Sequence, residues 1–128
     1  MSQADIAYLR HEYIRKSTRH PWGEAAAVAV LLGFAPIAGD DRLARHADRD
    51  GIDWGAVLAD KSWSSGERFL IATAAGAWSG QRTMIDISRI AYLDDTFLRA
   101  WMDIIRACTH GHVPGCPESS KQPEGDYQ

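Results

Sequence analysis

Apolar positions in this chain fall into helical runs parted by short polar breaks, and one run organises the others. In WSSGERFLIATAAGAWSG, from Trp63 to Gly80, Ser64 and Glu67 form a capping box, each side chain satisfying a backbone N–H at a helix start. From Phe69 to Trp78 the one polar side chain is Thr73, so this helix is apolar nearly all round, as in segments enclosed by neighbours. Ala72, Ala74, Ala75, Gly76 and Ala77 let other backbones approach, and Gly80 suits the left-handed residue that closes many helices. The spacing therefore predicts a central helix over 64–79.

The same reasoning places elements along the chain. Ser2 and Asp5 open a first helix running to about Thr18, with Ile6, Leu9 and Tyr13 on its buried stripe. Pro21 breaks it, and a second, almost wholly apolar helix follows over 22–34, stopped by Gly33 and Pro36. After a loop over 37–41, Asp40 or Asp41 caps a short helix through Arg42 to Asp48, with Leu43, Ala44 and Ala47 as its apolar side and mixed charges that read as exposed and salt-bridged. Asp53 caps another short helix bearing Trp54, Val57 and Leu58. The pattern leaves room for an extended piece near 83–85 before a short helix over 86–92. Asp94 or Asp95 then caps a last helix over 95–109, where Phe97, Leu98, Trp101, Met102, Ile105 and Cys108 form the expected buried stripe and Gly111 the stop. The reading is an all-α compact bundle of five or six helices, with 22–34 and 95–109 against the central 64–79. It forms a single domain over 1–111, followed by a disordered Pro/Gly-rich tail over 112–128.

Length and charge narrow the function. The 128 residues suffice for one core without metals or disulfides. Fourteen basic against seventeen acidic residues, a net charge of −3, oppose a broad nonspecific nucleic-acid or membrane binder. The longest apolar run, Ala25 to Ala38, is shorter than the roughly 20 residues that cross a bilayer. With no secretory signal apparent and two cysteines read as reduced thiols, the expected location is the cytoplasm. Five tryptophans point either to a Trp-stapled core or to a Trp-rich contact surface.

Four constellations carry candidate chemistry. On the first helix Tyr8, His11, Arg15 and Arg19, followed by Trp22, make a basic aromatic face suited to an acidic protein partner. The competing reading is a solvated face, with Glu12 placed to pair with Lys16. The 86–109 unit has the order of a helix-turn-helix, with Arg89, Arg99 and Arg106 as its cations, but two carboxylates open its would-be recognition helix. Cys108, His110, His112 and Cys116 are zinc-competent yet lack the separated ligand pairs of structural zinc sites, and Asp40, Asp41, His46, Asp48 and Asp50 match no calcium loop. No nucleophile elbow or phosphate loop is present, and Glu24, His46 and Cys108 would form a catalytic set only if the fold gathered them.

The runs WSSGERFLIATAAGAWSG and IDISRIAYLDDTFLRAWMDII resemble, from about Ile52 to Cys108, small helical proteins of unassigned function from high-GC bacteria and their phages. The resemblance implies a compact cytoplasmic helical domain and brings no catalytic residue. The expected function is a non-enzymatic protein–protein interaction or regulatory module without a cofactor, compatible with a homodimer. A DNA-binding regulator using 86–109 is the alternative.

Overall fold

In the computed structural model, described over residues 3–19, 23–79, 87–111 and 113, seven α-helices and one short hairpin surround a single core. They are α1 (Gln3–Arg19), α2 (Gly23–Leu32), α3 (Ala35–Ala38), α4 (Asp41–Ala44), β1 (Ala47–Asp48), β2 (Gly51–Ile52), α5 (Trp54–Ala59), α6 (Ser65–Ser79) and α7 (Asp95–His110), with a 3-10 helix over Ile87–Tyr92 before α7. The all-α bundle is thus present. Trp22, Gly80, the piece near 83–85, and His112 with 114–128 lie outside the described residues.

Helix starts follow the chemistry of their caps. Ser64 Oγ accepts from the Glu67 N–H at 3.1 Å while Glu67 Oε1 accepts from the Ser64 N–H at 2.8 Å, the reciprocal box read from the sequence. Asp40, Asp53 and Asp94 cap α4, α5 and α7 by accepting the N–H groups of Arg42, Ala56 and Phe97. Gly111 ends α7 with a left-handed φ of 74°, its N–H bonded to the Ala107 carbonyl.

Two local expectations change. The loop expected over 37–41 begins instead as α3, which takes in Ile37 and Ala38, because Pro36 at a first-turn position starts a helix as readily as it ends one. The charged helix expected to reach Asp48 stops at Ala44. Asp48 Oδ1 accepts from the N–H groups of Asp50 and Gly51, and this side-chain turn closes an antiparallel β1–β2 pair. Leu43, Ala44 and Ala47, the apolar side expected of this segment, do join the core.

The centre of the bundle is α2. It packs against α1, α6 and α7, and Ala25 through Ala29 and Leu31 have no exposed surface at all. The small side chains expected to make α6 central do the same work in α2 more completely, so three helices approach it. In α6, Phe69, Leu70, Ile71, Thr73, Ala74 and Ala75 are buried, while Ala72, Gly76, Ala77 and Trp78 are half-buried. The core also takes in Val113, two residues beyond the end of the domain expected from the sequence.

The described tryptophans staple this core. Trp63 is buried and donates its Nε1–H to the Val57 carbonyl at 2.9 Å, with the Arg42 guanidinium 4.0 Å over its ring. Trp78 meets Tyr13 edge to face at 5.0 Å. Trp101 stacks near Phe69 and donates to Thr73 Oγ1 at 3.1 Å. Trp54 is half-buried, with its Nε1 buried and without an acceptor among the described residues.

Candidate functional site

Apolar side chains on α7 form two rows, and only one of them enters the core. Ala100, Ile104 and Ala107 are buried, flanked by half-buried Phe97 and Trp101. The other row, Leu98, Met102 and Ile105 at spacings of four and three, lies on the outer side, with Met102 48 % and Ile105 39 % exposed. Cys108, expected on the buried stripe, is exposed, because the smaller Ala100–Ile104–Ala107 row is the one that lets α7 close against α2. The outer row borders a groove of about 430 Å³ lined by Asp95, Leu98, Arg99, Met102, Asp103 and Arg106. Its charges read acid, base, acid, base along the helix.

That groove shares Arg99 and Asp103 with a second pocket of about 240 Å³, which reaches Arg10 of α1, Val30, Gly33 and Phe34 at the end of α2, Thr96, Ala100 and Val113. Phe34 holds one wall through an edge-to-face contact with Phe97 at 5.2 Å. The Arg10 Nε is buried and lacks an acceptor among the described residues. Sequence reasoning missed this pocket. Arg10 and Arg99 lie far apart in the chain, and the one local signal was Gly33, where an added Cβ would stand 2.8 Å from the Arg10 Nε.

The basic face expected on α1 is partly engaged within the molecule. Arg15 donates to Glu12 at 2.8 Å, displacing Lys16 as the anticipated partner and holding the Glu12 carboxyl below its usual range. Tyr8, 36 % exposed, lies under the Arg49 guanidinium at 4.4 Å, and Arg49 also reaches Asp5 at 3.6 Å. His11 is exposed, whereas Trp22 and the side chain of Arg19 lie outside the described residues. Lys16 turns back over the rings of Tyr13 and Trp78 at 5.5 and 5.7 Å.

For the remaining candidates, Arg99 and Arg106 share the α7 groove with two carboxylates, and the side chain of Arg89 lies outside the described residues. Cys108 and His110 are exposed near the end of α7, while His112 and Cys116 are outside the described residues. Among the described residues no three His, Cys, Asp or Glu side chains converge as a metal site. Partial burial, and after it the negative charge of Glu24, push the Cys108 thiol up, the reverse of what a nucleophile needs. His46 sits between α4 and β1. No described helix is long and apolar enough to cross a membrane. No family model, curated protein or solved structure matches the chain.

Proposed function

We propose that this protein is a small cytoplasmic, non-enzymatic interaction module that meets another protein through the outer face of α7. The observation that carries the reading is the outer row of half-buried Leu98 and exposed Met102 and Ile105, which lies outside the core because a different row already faces α2. An apolar strip set among charged residues has the anatomy of a helix-docking surface. The order Asp95, Arg99, Asp103, Arg106 would pair with its own reverse in an antiparallel helix, Asp95 against Arg106 and Arg99 against Asp103. A second copy of the chain offers that order, and a two-fold contact in that register would bring Met102 beside Leu98 of the other copy. The basic α1 face with Tyr8, His11 and Arg15 is a secondary contact, since its charges are already partly answered. Kinship with small helical proteins of high-GC bacteria and phages belongs to this reading and assigns no activity.

Met102→Glu tests it. Sedimentation velocity should show self-association of the wild-type chain that the variant loses, and Asp95→Arg mixed with Arg106→Asp should restore association that each lacks alone. A wild-type chain monomeric at high concentration, with Met102→Glu and wild-type baits retaining the same partners from the native host, would sink the α7 surface.

DNA binding through α7 is the second reading, favoured by the shared placement of Arg99 and Arg106. Asp95 and Asp103 in the same groove oppose it, and a mobility shift that weakens steeply with salt would revive it.

A further inference from the structure

We infer that the pocket between α1, the end of α2 and α7 is a binding site for a small organic monocarboxylate with an apolar body. The inference stands on the pocket's own chemistry and not on the α7 docking surface. Three observations carry it.

The Arg10 Nε–H is buried and meets no acceptor among the described residues. The negative end of α2, where the Gly33 N–H bonds the carbonyls of Ala29 and Val30, accounts for a cation nearby but leaves that N–H unanswered. A buried charged donor without an acceptor is costly, and an anion relieves the cost by a charge-assisted hydrogen bond. Gly33 makes the position feasible, because a side chain there would occupy the space of the guanidinium.

Arg99 enters the same pocket from α7, and Thr96 lies in the first turn of that helix, whose positive end favours an anion. Neither arginine is ion-paired among the described residues, and neither is the pocket's one carboxylate, Asp103. Two guanidinium charges against one carboxylate leave a single positive charge, which matches a carboxylate and falls short of a phosphate dianion.

The remaining wall is apolar. Val30, Phe34, Ala100 and Val113 provide the contact that an aliphatic or aromatic body requires, and about 240 Å³ admits a body of modest size.

Isothermal titration of the full chain with sodium benzoate, benzamide and inorganic phosphate tests the inference. Benzoate should bind saturably, benzamide should not, and phosphate should bind more weakly than benzoate. Arg99→Gln, a change at an exposed position that should leave the fold intact, should weaken benzoate about tenfold or more, as loss of a charged hydrogen bond predicts. Arg10→Met, which keeps the aliphatic stem, should do the same. Met102→Glu should leave benzoate binding unchanged, so failure of the docking surface and failure of this site are separately visible. Absence of saturable benzoate binding, tighter binding of phosphate, or equal affinity in wild type and Arg99→Gln would each overturn the proposal.

Discussion

Gly23, at the head of α2, lies backbone to backbone against Cys108 near the end of α7. A Cβ added to Gly23 would stand 2.9 Å from the Cys108 carbonyl carbon and 3.2 Å from its Cα, and would overlap the carbonyl oxygen. Neither neighbour is the flexible end of a side chain, so the helices themselves would have to part. Gly23→Ala should therefore destabilise by about 1–3 kcal/mol, the usual cost of overpacking. Gly55→Ala in α5 is the control. Its added Cβ meets only Asp53 Oδ1 at 3.6 Å, and the change should be neutral or mildly stabilising in urea denaturation. Equal effects of the two changes would refute the close crossing.

Trp63 and Trp54 should respond differently to Phe. Trp63→Phe removes the donor to the Val57 carbonyl and should cost about 1 kcal/mol from that bond, besides lost contact area. Trp54→Phe removes a buried N–H that has no acceptor among the described residues, so its loss of area is offset and its net cost should be the smaller. Thermal unfolding of the two single variants decides the order.

Asp40 serves both as the cap of α4 and as a fork for Arg42, accepting from the Arg42 Nε at 3.0 Å and Nη2 at 2.8 Å. Asp40→Ala loses both roles and should cost about 1–2 kcal/mol, whereas Asp40→Asn keeps a good cap and should cost less. The Arg42 hydrogen bonds hold the Asp40 carboxyl below its ordinary value of 3.8. Its contribution is then complete above the unfolded carboxyl range near about 4 and is lost as pH falls through the lower folded value. Stability measured against pH should show that acid-side loss in the wild type and a shallower one in Asp40→Asn.

Cys108 should be slow to alkylate. With Cys116 replaced by Ser, the iodoacetamide rate at Cys108 should rise only at a pH above that of a free thiol, because partial burial and Glu24 disfavour the thiolate. Glu24→Gln should shift that profile toward lower pH. A profile left in place would show that Glu24 does not act on the thiol.

Features governed by near neighbours in the chain were legible in the sequence. The Ser64–Glu67 box, the aspartate caps and the Gly111 stop are set within three or four residues, and all appear. The hairpin at 47–52 was hidden, because its charges suit a surface helix as well as a turn, and only the Asp48 side chain settles the matter. On α7 the apolar period predicts one buried stripe over Phe97, Leu98, Trp101, Met102, Ile105 and Cys108, whereas the fully buried row is Ala100, Ile104 and Ala107. Which row turns inward depends on how closely α2 approaches, so Cys108 was assigned to the wrong side. The pocket joins Arg10 to Arg99 through a bend after α2, a juxtaposition with no periodicity to reveal it.

Complete enclosure of α2 ties the timing of its protection to the rest of the molecule. Its three main neighbours come from the beginning, middle and end of the described chain, so no local hairpin or fragment can shield it alone. The amide protons of Val28, Ala29 and Leu32 should then exchange with deuterium only when the whole domain opens. The bundle would melt as one cooperative unit, its slowest-exchanging residues in the helix with the smallest side chains.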